Sequence, residues 1–118
     1  MILVVEDDQA IGDVIQVCLR QLGLENHLCV NGVEALAFIE QLHPDLILLD
    51  IGLPQMNGWE VISHMRSAGI NIPVIILTAY GNAENQVIGH RMGVEGFLKK
   101  PIVLKELQTA IQRIISLH

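Results

Sequence analysis

The stretch LILLDIGLPQMNGW, residues 46–59, is the most informative part of this chain of 118 residues. Its first four residues are apolar, which is typical of a short strand buried on both faces of a sheet. The strand runs directly into Asp50, and a loop rich in turn-forming residues follows: Gly52, Pro54, Asn57 and Gly58. A charged side chain at the end of a buried strand is costly unless it is paired or serves a function. Asp50 is therefore the first candidate for a functional residue.

Short apolar runs alternate with helical patterns on both sides of this strand. The apolar runs predict five strands, at residues 2–5, 27–30, 46–49, 73–77 and 96–99. Helical spacing predicts helices at residues 9–22, 33–42, 59–67 and about 83–92, and a final helix on the stripe of Leu104, Leu107, Ile111 and Ile115. Continuous apolar strands that alternate with helices require a parallel sheet with helices on both faces. The sequence thus predicts an α/β three-layer sandwich around a five-stranded parallel sheet.

Composition narrows the class of protein. The length predicts one domain over residues 1–118, and 51% hydrophobic with 3% aromatic residues predicts an aliphatic core. A net charge of −6 argues against direct nucleic-acid binding by this domain. No apolar run approaches the ~20 residues of a membrane span, and no signal peptide follows Met1. Cys18 and Cys29 are too few for a disulfide framework, so we expect reduced thiols and a cytoplasmic location.

Polar residues stand where the predicted strands end, at the edge where open parallel sheets bind ligands. They are Glu6, Asp7 and Asp8 after the first strand, Asp50 after the third, Thr78 after the fourth, and Lys99 and Lys100 after the fifth. In a sheet of order 2-1-3-4-5, the first and third strands are neighbours. Glu6, Asp7 and Asp50 would then converge.

Three converging carboxylates need compensating cations. At about 5 Å apart and an effective dielectric constant near 20, they repel by roughly 3 kcal/mol per pair. Lys100 can supply one positive charge, and a divalent metal ion can supply two more. The ligand oxygens and a shallow, solvated site favour Mg²⁺. The five histidines never lie three or four residues apart, so no zinc motif is expected.

A carboxylate beside Mg²⁺, a hydroxyl and a lysine is equipped to accept a phosphoryl group. Asp50 can attack phosphorus in line, as carboxylates do when aspartyl phosphates form. The metal ion, Lys100 and the Thr78 hydroxyl would hold the three phosphoryl oxygens. These three residues, Asp50, Thr78 and Lys100, are the predicted catalytic set.

Four segments carry a resemblance to a known family: ILVVEDD, PDLILLDIGLPQMNGWEVI, PVIILTAY and GFLKKPI. In this order and at this spacing, they resemble the receiver domain of response regulators in two-component signalling, which has the flavodoxin-like fold of chemotaxis regulators. The resemblance covers essentially the whole chain. The strand order 2-1-3-4-5 used above is in part an expectation from this resemblance.

The resemblance implies roles for individual residues. Asp50 would be the phosphoacceptor, with Thr78 and Lys100 in contact with the phosphoryl group. Mg²⁺ would be bound directly by Asp7, through a metal-bound water by Glu6, and by the backbone carbonyl of Gly52. Phe97 would occupy the aromatic switch position, and the Lys100–Pro101 bond would be cis.

The resemblance also implies partners and an output. A sensor histidine kinase or a histidine phosphotransfer protein would donate the phosphoryl group, and an output domain or protein would receive the signal. The signal would leave through the fourth helix, fifth strand and fifth helix, and homodimerisation on phosphorylation is left open. The domain would be no enzyme beyond its own aspartyl phosphorylation and dephosphorylation. Whether it stands alone or belongs to a longer regulator or hybrid kinase is also left open.

Some positions depart from the family or have simpler interpretations. Glu6 replaces a commoner aspartate, and Phe97 stands where tyrosine is frequent, which removes a hydroxyl. Tyr80 is expected near the site, and Asp8 is expected to cap the first helix. Gly89, inside the fourth helix, costs about 1 kcal/mol relative to alanine. It either allows close packing or loosens the helix, and the sequence does not separate the two.

Single positions argue against two other functions. A phosphatase of the haloacid-dehalogenase type would need an aspartate two residues after Asp50, where Gly52 stands. A nucleotide-binding Rossmann domain would need a G-x-G-x-x-G motif after the first strand, and none is present. The remaining alternative is a receiver-like adaptor that binds partners without phosphorylation. Such adaptors normally lack an acceptor or metal-binding aspartate, and here neither is missing.

Overall fold

Ten alternating strands and helices form the protein in the computed structural model, which describes residues 1–79 and 83–115. They are β1 (Ile2–Val5), α1 (Gln9–Gln21), β2 (Asn26–Cys29), α2 (Gly32–Leu42), β3 (Leu46–Asp50), α3 (Gly58–Ser67), β4 (Val74–Thr78), α4 (Ala83–Met92), β5 (Gly96–Lys99) and α5 (Leu104–Gln112). Every predicted element is present, with ends shifted by at most one residue except in α5, which ends three residues before Ile115. Tyr80 lies outside the described residues.

The five strands form one parallel sheet of order β2-β1-β3-β4-β5, which confirms the predicted topology. Successive side chains of each strand point to opposite faces of the sheet, so two cores form. One core lies between the sheet and helices α1 and α5. The other lies between the sheet and helices α2 and α3, and Met92 of α4 packs at its border. The three-layer α/β sandwich with flavodoxin-like strand order is therefore confirmed.

The strands are not equally buried, which corrects one expectation. Every residue of β1, β3 and β4 is buried, as the continuous apolar runs predict. The edge strands β2 and β5 are only partly buried, with His27 and Lys99 exposed. An edge strand has a neighbour on one side only, and here a single layer of helix does not cover it fully.

The helix ends set the loops at the carboxyl edge of the sheet. Asp8 caps α1 by accepting hydrogen bonds from the backbone N–H groups of residues 10 and 11, as predicted. Asn57 and Glu60 form a capping box that begins α3. At the other end of α1, Gly23 adopts a left-handed conformation with φ of 75°, which glycine does without strain.

The apolar stripe of α1 is wider than the surface it buries. Val14 is apolar but 53% exposed. Cys29 is buried and Cys18 only partly so, and both are free thiols. No helix in the described part of the chain is long and apolar enough to cross a membrane.

Candidate functional site

Three carboxylates meet at the carboxyl ends of β1 and β3. Val5 of β1 pairs with Leu49 of β3, so the residues that follow each of them are brought side by side. Glu6, Asp7 and Asp50 each offer a carboxylate oxygen, and these oxygens all lie within 4.8 Å of one another. Convergence of the three acids follows directly from the observed strand order.

The cluster is drier than expected. Glu6 is 1% exposed and Asp50 is 7% exposed, whereas Asp7 is exposed. A shallow, solvated site was predicted from the sequence, but only one of the three acids faces solvent. Glu6 directly follows β1 and Asp50 ends β3, and both strands are buried along their whole length. Their mutual repulsion is consequently screened less than it would be at the surface.

Lys100 is the cation of the site. Its Nζ lies 2.6 Å from Oε2 of Glu6 and 3.3 Å from Oδ2 of Asp50. The backbone N–H of Lys100 donates to the carbonyl of Thr78 at 2.8 Å, which fixes the start of this loop against β4. The Lys100–Pro101 peptide bond is cis. Lys99, one residue earlier, is exposed on the edge strand.

Glu6 and Lys100 each shift the pKa of the other. Burial raises the pKa of Glu6 above its usual value and the Asp50 charge adds to this, although Lys100 opposes both. For Lys100, burial alone would lower the pKa, but the Glu6 and Asp50 carboxylates outweigh it and the pKa is raised. Lys100 is therefore charged at neutral pH. One ammonium group faces three acids, so the cluster as a whole remains negative.

One carboxylate oxygen of the cluster is buried beside a single cationic group. Oε2 of Glu6 is fully buried, and its polar partner among the described residues is the Lys100 ammonium group alone. A buried carboxylate oxygen ordinarily has a hydrogen-bond donor or a metal ion beside it. Together with the close oxygens of Asp7 and Asp50, this oxygen fits a hard divalent cation such as Mg²⁺, which oxygen ligands bind.

The loop after β3 closes on itself beside Asp50. Oδ1 of Asp50 accepts a hydrogen bond from the backbone N–H of Gly52 at 2.9 Å. The N–H of Gly58 donates to the carbonyl of Ile51 at 3.1 Å, so the loop returns to its starting point. A Cβ atom on Gly58 would lie 2.7 Å from the Cα of Ile51 and 2.8 Å from the carbonyl oxygen of Asp50. Only glycine allows α3 to begin this close to the strand.

A cleft opens over Asp50. Its walls include two of the other predicted site residues, Thr78 and Lys100. Three further wall residues had no predicted role in the site: Asn57, Trp59 and Asn85. Thr78 is 3% exposed and ends β4, the strand next to β3. Asn57 and Trp59 flank the start of α3. Their position after the third strand was the feature of the sequence that could have pointed to the site. It does not tell which side chains of the loop turn toward the end of the strand.

Comparison with known proteins agrees with this geometry. The family model for the response regulator receiver domain matches residues 2–112. The chain is 36% identical over 114 residues to the probable transcriptional regulatory protein SilR of Salmonella typhimurium, covering 97% of this chain and 50% of that protein. It spans half or less of the length of the curated relatives it matches.

Solved structures show the same fold. The chemotaxis protein CheY4 of Vibrio cholerae superposes with a TM-score of 0.91 at 28% identity, covering 97% of each chain. The receiver domain of the sensor histidine kinase PA1611 of Pseudomonas aeruginosa superposes with a TM-score of 0.86 at 33% identity, covering 96% of this chain and 94% of that one. That receiver domain has a magnesium ion coordinated in its active site cleft.

Proposed function

This chain belongs to the response regulator receiver domain family, and we propose that Asp50 is the residue that accepts the phosphoryl group in it. Receiver domains of response regulators act in phosphorylation-dependent two-component signalling, and that general role holds for this chain. The domain is a switch and not a classical enzyme. We further propose that residues 1–118 form one receiver domain and that it acts in the cytoplasm, which is typical of response regulators.

The position of Asp50 is the observation that supports this proposal. The side chain lies at the end of β3 beneath the cleft, with Oδ2 3.3 Å from the Lys100 ammonium group and Oδ1 hydrogen-bonded to the N–H of Gly52. Both oxygens are therefore held by positive partners. A carboxylate fixed in this way has little rotational freedom to lose when it attacks, and that lowers the barrier.

Glu6, Asp7 and Asp50, with the backbone carbonyl of Gly52, would hold a Mg²⁺ ion. The three side chains are the acidic cluster described above, and Gly52 directly follows Ile51 in the loop beside it. When bound, the ion would neutralise part of the negative charge of the acids and of the phosphoryl oxygens. The magnesium ion in the cleft of the PA1611 receiver domain is consistent with this assignment.

In the proposed transfer, an oxygen of Asp50 attacks the phosphorus of a phosphohistidine on a histidine kinase or histidine phosphotransfer protein. The O–P bond forms while the N–P bond breaks, and the histidine nitrogen leaves with the bonding electron pair. The Lys100 ammonium group and the Thr78 hydroxyl donate to phosphoryl oxygens. Slow hydrolysis of the aspartyl phosphate resets the switch. Water attacks the same phosphorus, phosphate leaves with the water-derived oxygen, and the Asp50 carboxylate is restored.

We propose that the signal leaves through α4, β5 and α5. Thr78 and Phe97 lie on the two strands nearest α4, and the ring of Phe97 packs against Gly89 of that helix. Movement of the Thr78 hydroxyl toward the phosphoryl group would open space into which Phe97 could turn. A downstream output domain or protein, or a second copy of the chain, would bind the altered surface.

Phosphorylation by a small phosphodonor tests the assignment of Asp50. After incubation with acetyl phosphate and Mg²⁺, intact mass should show one added phosphoryl group on the wild type and none on Asp50→Asn. Asp13→Asn, which removes an exposed acid of α1, is the matched control and should label like the wild type. Equal labelling of Asp50→Asn and the wild type would show that another residue is the acceptor.

A further inference from the structure

A second group of metal-binding side chains lies between β2 and α2. His27 and Cys29 are two residues apart on β2 and therefore point to the same face of the sheet, toward α2. Glu34 lies in the first turn of α2. Each of the three offers one ligand atom, and these atoms all lie within 4.8 Å of one another. Strand β1 separates β2 from the strand that carries Asp50.

We propose that His27, Cys29 and Glu34 form a Zn²⁺-binding site. An imidazole nitrogen, a thiolate sulfur and a carboxylate oxygen are the three kinds of ligand that Zn²⁺ takes in proteins, and three protein ligands leave a fourth position for water. Mg²⁺ is excluded as the preferred ion because it takes oxygen ligands. The acidic cluster of Glu6, Asp7 and Asp50 contains oxygens only, so the two sites would select different ions.

The spacing of the ligand atoms is close to what a tetrahedral ion needs. With zinc–ligand bonds of about 2.0 to 2.3 Å, the ligand atoms of a tetrahedral site lie about 3.3 to 3.8 Å apart. The present limit of 4.8 Å therefore leaves at most about 1 to 1.5 Å to close. His27 and Glu34 are exposed and can move by this amount through side-chain rotation, whereas Cys29 is fixed in the core.

Neighbouring residues place two of the ligands on the side of the site. The His27 ring stacks on Phe38 of α2, with ring centroids 4.4 Å apart and an angle of 13° between the planes. Phe38 lies one helical turn after Glu34, so both side chains are on the same side of α2. The N–H of Glu34 donates to Oδ1 of the capping residue Asn31 at 2.8 Å, which fixes its backbone.

The environment of the thiol indicates how the ion would bind. Burial, and then the Glu34 charge, raise the pKa of Cys29 to about 12, so the thiol is protonated in the metal-free protein. Binding of Zn²⁺ would break the S–H bond, form the Zn–S bond and release the proton to solvent. Because Cys29 is covered and the other two ligands are exposed, the ion would enter between His27 and Glu34. Once bound, it would tie the edge strand β2 to α2.

Titration with Cd²⁺, which reports thiolate binding by an ultraviolet charge-transfer band, tests the site. With excess Mg²⁺ present to occupy the acidic cluster, the wild type should show the band with one equivalent of Cd²⁺, and added Zn²⁺ should remove it. Cys29→Ser should show no band. His27→Gln and Glu34→Gln should bind at least about tenfold more weakly, since each loses one ligand.

Matched controls alter the same residue types elsewhere. Cys18→Ser, His64→Gln and Glu40→Gln should bind Cd²⁺ like the wild type. Because His27 and Glu34 are exposed, their variants test the site even if Cys29→Ser fails to fold. The proposal is wrong if the wild type shows no band, if Cys18→Ser loses it, or if His27→Gln and Glu34→Gln bind as tightly as the wild type. A band that persists with excess Zn²⁺ would overturn the choice of zinc.

Discussion

Among the described residues, Lys100 offsets most of the negative charge of the site, because its ammonium group pairs with both buried acids. Asp7 lies beside these acids and faces solvent. Two carboxylates within 5 Å repel by roughly 3 kcal/mol at an effective dielectric constant near 20. A single lysine cannot offset three such charges. The metal-free domain is therefore strained at this point, and the strain is relieved by adding positive charge or removing negative charge.

We expect Mg²⁺ to stabilise the domain against unfolding. At a Mg²⁺ concentration 100 times its Kd, the gain should be about 2.7 kcal/mol. Thermal melts with EDTA and with Mg²⁺ measure it. Asp7→Asn should be more stable than the wild type in EDTA and should gain less from Mg²⁺, because it lacks one repelling charge and one ligand. A wild-type midpoint that does not respond to Mg²⁺ would contradict the proposed metal site.

Removing the ammonium group should be costly because it leaves Oε2 of Glu6 buried without the cation that pairs with it. We expect Lys100→Met to lower the free energy of unfolding by roughly 3 kcal/mol, the usual result of breaking one side of a buried ion pair. Glu6→Gln in the same chain should restore part of the loss, and urea unfolding of the four proteins of this cycle measures the coupling. Lys99→Met, at an exposed position, is the control. Additive effects of the two changes would show that the pair does not act as one unit.

Helix α4 packs on the rest of the protein through its backbone at one glycine. Among its residues with described side chains, 85–92, the buried one is Gly89. A Cβ atom at this position would lie 2.1 Å from Cζ of Phe97 and 3.0 Å from Cγ2 of Val94. The helix therefore packs its backbone directly on the Phe97 ring. Of the two interpretations left open by the sequence, the structure supports close packing.

Substitution of Gly89 tests this contact. Alanine favours a helix by about 1 kcal/mol over glycine, yet the clash with Phe97 should cost about 1 to 3 kcal/mol, so we expect Gly89→Ala to be neutral or destabilised. In a Phe97→Leu background, where the Cζ atom is missing, the same change should be stabilising. Urea unfolding measures both, with Phe97→Leu alone as the reference. If Gly89→Ala stabilises both backgrounds equally, the helix does not rest on the ring.

Some features of the fold and the site could be predicted from the sequence, and others could not. The strands and their terminal acids could be predicted, because apolar runs and charges at their ends follow from the covalent order alone. The contact of Gly89 with Phe97 could not, since the order of α4 and β5 along the chain does not tell how closely the helix approaches the strand that follows it. The histidine spacing rule also missed His27 and Cys29, because it describes helices, whereas neighbours on one face of a strand are two residues apart.

Across the whole molecule, charge is unevenly distributed. From Lys99 to the end of the chain there are four basic residues and one acidic residue, although the net charge is −6. One groove beside β5 and α5 is lined by Lys99, Lys105 and Arg113. These three residues follow Phe97 in the sequence, whereas Gly89 precedes it. The acidic cluster and this basic surface are joined by Lys100 and β5. A change at Asp50 thus has a short structural route to a surface of opposite charge.

Hydrogen exchange on the free and phosphorylated domain tests that route. We expect the changes to concentrate in residues 78–100, because Thr78 and Phe97 lie on the strands before and after α4 and neither α4 nor β5 is fully buried. Asp50→Asn treated with the same phosphodonor is the control and should show no change. Differences confined to residues 6–12 and 50–58 would mean that phosphorylation alters the site without reaching the surface proposed for output.

The closed loop from Ile51 to Gly58 also constrains how this protein can evolve. Every side chain heavier than hydrogen at Gly58 would meet the backbone of Asp50 and Ile51, and backbone atoms cannot move aside as a flexible side chain can. Selection can therefore vary the exposed residues Pro54 and Gln55 between the two ends of the loop, whereas Leu53 is held in the core and the closing position stays glycine. New loop chemistry, and so new partners, can then arise beside Asp50 while the proposed phosphoacceptor itself is left in place.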